Sequence, residues 1–461
     1  MKRFFPSAVA AFMLLARVAF AVESPPSSPR EQADFLAGIP LPESSSLAEL
    51  QKSPAYRLHV EELNQQWVRC KKSRYDAMQK WGEEHLKSES STRDVVRYLF
   101  GGPDFLNAFA FFPDARVIVL GGLEPVGEVP PPESLKSGEF SGSLASLRHA
   151  LRTSFACGYF ITKDMGGELR RGAFKGVLPV LFTELALTGN SIESVELVSP
   201  FGSPGARIAY SRPGQASQTL YYFQADLSDG KCQRFLTWLG ELGSGPAYLK
   251  AASYLLHNDS FSQTRDFLLK TSTLVVEDDS GIPFRHFNNA GWTVRVFGAY
   301  TPPIPVFSGY KQRDFSAAYR TEANAGAIAF GAGYHVRPHQ ANLLLAKRND
   351  RTNESAPPPD ASQELSGAQN TPPHPTAQQS AEPKPTDPKN PAAQPAADPT
   401  REVPTNSLAE LETDELVIRN DTSLTRRERM VLLAAVWRKQ LEVMGKMPDS
   451  SGKTRRQQPA E

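Results

Sequence analysis

An excess of charge of either sign is missing from this 461-residue chain. Its 51 lysines and arginines meet 50 aspartates and glutamates, for a net charge of +1. That balance gives no global field to attract nucleic acid or an anionic membrane, so neither is expected as a partner. Cysteine is scarce. Cys70, Cys157 and Cys232 form an odd set, which leaves one disulfide plus a free thiol, or no disulfide, both open. None of their spacings is that of a zinc site. Long apolar runs are absent too: a bilayer span needs roughly 20 residues, and nothing beyond the first residues approaches that.

Familiar catalytic signatures are also lacking. No Gly-x-Ser-x-Gly elbow is present, and Gly101-Gly102 and Gly121-Gly122 lack the full spacing of a dinucleotide or phosphate loop. Asp279-Ser280-Gly281 stands alone, whereas an aspartic protease needs two such carboxylates sharing a proton. His335 and His339 are four apart, but Pro338 between them and the glycines before them argue against the helix that would aim both at a metal. No metal and no cofactor are expected.

What is present begins with an export signal. Lys2 and Arg3 precede an apolar run, interrupted at Arg17, and Ala19-Phe20-Ala21 supplies small residues for cleavage, so residues 1–21 read as a signal peptide. The expected location is periplasmic or secreted, where nucleotide cofactors are sparse. Residues 22–54, rich in Pro, Ser and Glu, read as a flexible lead-in. At the other end, residues 351–405 hold 13 of the 38 prolines and almost no aromatics. Such a stretch buries too little apolar surface to offset its ordering cost, and 349–420 reads as a disordered linker. Thr425-Arg426-Arg427-Glu428 then has the capping-box pattern, opening an amphipathic helix over 421–447 before a disordered tail at 448–461. Its stripe of Met430, Leu433, Trp437 and Leu441 is the candidate surface for docking on a partner.

Between these ends, residues 55–348 alternate helical and extended patterns. Val60, Leu63, Trp67, Cys70, Met78 and Trp81 put one apolar face on a helix from 57 to about 86, so Cys70 is expected as a buried thiol. Residues 95–100, 116–120, 193–198, 273–277 and 292–300 read as strands, and 206–211 with 219–225 as a hairpin through Arg212-Pro213-Gly214. Helices are expected at 104–112, 143–153, 174–187, 235–242, 247–257 and 261–269. The expected fold is α/β: a mixed, largely parallel sheet flanked by helices, with added antiparallel strands.

In such sheets ligands bind beyond the carboxyl ends of the strands. Three proposed strands end in Gly101-Gly102-Pro103-Asp104, Gly121-Gly122-Leu123-Glu124 and Asp278-Asp279-Ser280-Gly281. If those ends lie side by side, Asp104, Glu124 and Asp279 are the candidate acid and base groups, since like charges in a cleft push their pKa values apart. Gly101, Gly102, Ser280, Arg285 and His286 are the candidate ligand contacts, the last two as an anion clamp or proton shuttle.

The phrases Tyr98-Leu99-Phe100-Gly101-Gly102-Pro103-Asp104-Phe105-Leu106, Ala110-Phe111-Phe112-Pro113-Asp114-Ala115, Gly122-Leu123-Glu124-Pro125-Val126-Gly127 and Asp278-Asp279-Ser280-Gly281-Ile282-Pro283 resemble those of a group of exported bacterial proteins with no activity attached. The resemblance spans about residues 55–347 and brings no mechanism with it. Two expectations follow: an envelope or secreted protein that binds a ligand or partner, such as an envelope protein or polymer, or a cofactor-independent hydrolase of such a polymer acting through the clustered carboxylates.

Overall fold

Strands buried at nearly every position, rather than at alternate ones, are covered on both faces. Val95–Tyr98 (β1), Val117–Gly122 (β2) and Ser272–Glu277 (β7) are of this kind, their runs of Val, Ile and Leu interrupted by few polar residues. In the computed structural model, which describes residues 26–89, 94–160, 170, 172–321 and 323–349, they lie in a nine-stranded sheet. The other strands are Ser191–Val198 (β3), Gly205–Ser211 (β4), Gln218–Gln224 (β5), Gly245–Leu249 (β6), Trp292–Gly298 (β8) and Asn342–Arg348 (β9). The order is β3-β4-β5-β2-β1-β6-β7-β9-β8. The five central strands, β5 to β7, pair in parallel, and antiparallel strands are added at both edges: β4 and β3 on one side, β9 and β8 on the other. This is the expected mixed α/β sheet.

Side chains alternate across the sheet, so Val96, Tyr98, Ile118 and Leu120 face one core, while Val95, Leu99, Val117 and Val119 face the other. The first core is covered by helices Pro29–Leu36 (α1), Pro54–Cys70 (α3), Asp76–His85 (α4), Phe105–Phe111 (α5), Ser137–Cys157 (α6) and Leu178–Leu187 (α7), with the short Ala48–Gln51 (α2) leading into α3. The second lies under Gln233–Glu241 (α8), Ser262–Thr271 (α9) and Arg313–Ala318 (α10). The chain therefore leaves β1 toward the first face, through α5, and leaves β6 toward the second, through α9. Since β1 and β6 are parallel neighbours, the gap between their carboxyl ends is the topological switch point of the sheet.

Three expectations need correction. The lead-in is folded from residue 26: Ser28 and Glu31 form a capping box, and Phe35, Leu36 and Leu47 are fully buried in the first core. Residues 247–257 do not form one helix. β6 occupies Gly245–Leu249 and single 3-10 turns run from Ala251 to His257. Gly-Pro-Ala carries little strand signal, and Pro246, which has no N–H to give, sits where the β6–β7 register shifts. Arg97, buried in β1, donates to the carbonyls of Gly243 and Gly245 and ties down this irregular start. Finally, the helix read over 57–86 is broken by a π-helical turn at Lys71–Tyr75. All three cysteines are buried and unbonded. No helix among the described residues is long and apolar enough to cross a membrane. The expected signal peptide, proline-rich linker and tail, and the stripe of Met430, Leu433, Trp437 and Leu441 expected to dock on a partner, lie outside the described residues.

Candidate functional site

The switch point holds an ion pair. Asp104 follows β1 and caps α5, and Lys250 follows β6; Lys250 Nζ lies 2.7 Å from Asp104 Oδ2, with both side chains almost completely buried. Asp104 also accepts from Tyr98 Oη at 2.8 Å and from Asn107 Nδ2 at 2.7 and 2.8 Å. Lys250 donates further to the Gly158 carbonyl, which Asn107 Nδ2 reaches at 3.1 Å. Burial pulls the Lys250 pKa down, and the Asp104 charge offsets part of that. Two more ionisable groups press on the pair from α7 and the π-turn. Glu184 accepts from the Leu106 N–H, and burial with the nearby Asp104 charge holds its carboxyl well above the usual range. Arg74, aimed inward by the π-turn, donates to the Ser154 carbonyl at 2.9 Å. π-turns recur at functional sites because they redirect one side chain out of a helical row.

A second cluster adjoins it at the end of β7. Asp278 accepts from the Ser280 N–H at 3.0 Å and from the Ser280 hydroxyl, and receives the Ala251 N–H at 3.4 Å. Ala251 has φ +57°, the only positive φ outside glycine among the described residues, so the backbone is strained directly beside Lys250. Asp279 accepts from Tyr254 Oη and from Asn342 Nδ2 at 3.1 Å, and its own N–H donates to Asn342 Oδ1 at 2.8 Å. His335 Nε2 lies 3.4 Å from Asp279 Oδ1, in ion-pair range but out of line for a hydrogen bond. Burial opposes charge on His335, yet Asp279 and Asp278 outweigh it and the ring's pKa rises. Burial, and then Asp279, push Asp278 up to about 6.

The expected candidates divide accordingly. The ends of β2, β1 and β7 do share the carboxyl rim of one sheet, with β6 between β1 and β7. Asp104 and Asp279 fall in the two clusters, but not as the paired carboxylates anticipated: Asp104 is committed to Lys250, Tyr98 and Asn107, and Asp279 to His335, Tyr254 and Asn342. Glu124 stands in a separate buried pair with Tyr222, whose hydroxyl donates to the Glu124 carbonyl at 2.8 Å and lies 3.3 Å from Oε2. Gly101 and Gly102 are close-packed: a Cβ on Gly101 would run into the Tyr98 ring, and one on Gly102 would lie 3.3 Å from Glu124 Oε2. Ser280 is held by Asp278. Arg285 is exposed and His286 half-buried on a 3-10 turn, and the charges that act on His286 are Arg265, Arg285 and Asp266. Sequence reasoning passed over Lys250, Tyr254, Arg74 and Glu184; it weighed His335 only as a metal ligand with His339, and Asp278 only as the end of a strand. The one available signal was Lys250 itself, a lone charge between Leu249 and Ala251 in an otherwise apolar stretch.

Asp278 imposes a pH signature. Its folded pKa, about 6, is above the unfolded value near 4, so between those values the folded chain binds more protons. Its contribution to stability is therefore largest in acid and declines as pH rises from 4 to 6. His59 and His257, both lowered to about 4 by burial, act in the opposite direction. Their effect cancels when the parent is compared with Asp278→Asn. We expect the stability difference, parent minus variant, to fall between pH 4 and pH 7 in urea unfolding; a difference flat across that range would contradict the buried, raised carboxyl.

The site is thus a closed constellation of perturbed acids and bases at a switch point, the default location for ligand chemistry in a doubly wound α/β protein. Comparison of the chain with family models, with curated proteins and with solved structures finds no match.

Proposed function

We propose that this is an exported protein whose α/β domain binds a ligand at the carboxyl ends of β1, β6 and β7. The observation that carries this reading is the meeting of Lys250–Asp104 with Asp278, Asp279 and His335 at the one place where the sheet's connections diverge. A purely structural polar network has no need of that position or of strain at Ala251. The signal-like first 21 residues support export.

The test is a thermal-shift screen of the purified full chain with envelope sugars and peptides, followed by calorimetry on any ligand found. Asp278→Asn and His335→Gln are expected to weaken binding at least tenfold while keeping a cooperative unfolding transition. A ligand held equally well by both variants would place the site elsewhere.

A second reading is hydrolysis of an envelope or extracellular polymer without a cofactor. It is favoured by Asp278, whose pKa of about 6 suits proton exchange near neutrality, beside the Asp279–His335 pair. Under it, Asp278→Asn abolishes turnover and leaves the substrate bound.

A further inference from the structure

We propose that the ligand of the switch-point cluster is a saccharide, received on a layer of aromatic rings that roofs Asp279; this rests on the reading of that cluster as a binding site. The innermost ring is Tyr254. It is buried, its hydroxyl donates to Asp279, and its face stacks on Phe307 at 4.5 Å and 28° and on Tyr310 at 5.3 Å and 20°. Tyr334 lies parallel to it at 6.3 Å and 4°, stacks on Phe307 at 5.2 Å, and meets Tyr159 edge-on at 5.0 Å. Unlike Tyr254, the outer four rings are only half-buried. Aromatic rings left partly in water beside a few convergent polar groups are the lining that ligand sites use.

The layer is joined to the polar cluster through the chain itself. Tyr159 follows Gly158, whose carbonyl receives Lys250, and Tyr334 precedes His335. A ligand lying on the rings is therefore held against the cluster's rim.

The chemistry of the two parts selects the ligand class. The cations at the cluster are already engaged: Lys250 with Asp104 and the Gly158 carbonyl, Arg74 with the Ser154 carbonyl, His335 with Asp279. Each of these cations already faces a carboxylate or a carbonyl, and Asp278 and Asp279 repel an anion, so the ligand is neutral. Asp278 and Asp279 are acceptors for hydroxyls, and buried His335 Nε2 has no aligned hydrogen-bond partner of its own. A sugar ring meets both demands at once. Its face of polarised C–H groups lies on the electron-rich face of an aromatic ring, and its rim carries hydroxyls that donate and accept.

The experiment titrates the full chain by calorimetry with three tetrasaccharides, of β-1,4-linked N-acetylglucosamine, β-1,4-linked glucose and α-1,4-linked glucose, and with tetra-alanine as the peptide arm. Phe307→Leu and Tyr334→Leu, on separate loops, each remove one ring with little loss of apolar volume, so misfolding of one leaves the other as a test. At least one tetrasaccharide should bind, and each substitution should weaken it tenfold or more. The inference is overturned if none of the three binds, or if both leucine variants bind as the parent does. Tetra-alanine binding that is lost in His335→Gln but kept in Tyr334→Leu overturns the saccharide and leaves the switch-point reading standing. Saccharide binding lost in Tyr334→Leu yet unchanged in His335→Gln has the reverse meaning.

Discussion

Lys250→Met is expected to destabilise the fold by about 3–5 kcal/mol, because it strands the Asp104 carboxylate, charged and without its cation, in a site closed to water. Neither partner is exposed enough for solvent to screen the loss. The Tyr98 hydroxyl and the Asn107 amide remain as donors to Asp104, so the lower half of that range is the firmer expectation. Adding Asp104→Asn removes the stranded charge and keeps a side-chain acceptor for the Asn107 N–H at the start of α5. The double variant should therefore lose about 2–3 kcal/mol less than the sum of the two single losses, a coupling typical of residues in direct contact. Four urea-unfolding curves at pH 7, for parent, both singles and the double, read it directly. Strictly additive losses would mean that Lys250 and Asp104 do not feel one another, and the ion pair at the switch point would go with them.

How much of this was legible follows from what each residue needed as a partner. The strands that read well, β1, β2, β7 and the β4–β5 hairpin, are rich in β-branched or aromatic residues and ended by glycine, Pro-Gly or Asp-Asp, so local chemistry alone marks them. Their shared rim was inferable too, since parallel strands with crossover helices place all carboxyl ends on one side. β6 was not legible. Its Gly-Pro-Ala start is poor in strand signal, and Arg97, 148 residues away from Gly245, provides the donors that hold it. With β6 hidden, Lys250 had no strand to end, and its lone charge was the one trace of the residue that completes the site. The first fifty residues misled for a related reason: their proline and serine content suggests mobility, while Phe35 and Leu36 are fixed by Tyr56 and His59 of α3 and by α6 and α7, the last two more than 100 residues further on. His335 and Tyr254 depended on the same long-range folding of separate loops onto β7. Propensity sees none of this.

Gly333→Ala is the second substitution with a large expected effect, and it probes the cluster without touching an ionisable group. Gly333 has φ +52°, a left-handed conformation that costs any residue with a Cβ about 1–2 kcal/mol. A Cβ there would also overlap Asp278 Oδ2, whose position is already fixed by Ser280 and the Ala251 N–H. Yielding is expensive, since moving the carboxylate breaks hydrogen bonds to a buried, partly charged group, and overpacking of this kind adds about 1–3 kcal/mol. The total expected loss is about 3–4 kcal/mol. Gly214→Ala supplies the control: it has φ +75° but nothing within 4 Å of its Cβ position, so it carries the conformational cost alone. If urea unfolding gives the same loss for both alanine variants, the turn carrying Tyr334 and His335 does not sit against Asp278, and His335 is not part of the cluster at the end of β7. If Gly333→Ala is the costlier, the parent's pH response between 4 and 6 should change with it, because a displaced Asp278 titrates in a different environment. That second shift separates a disturbed site from a merely strained turn.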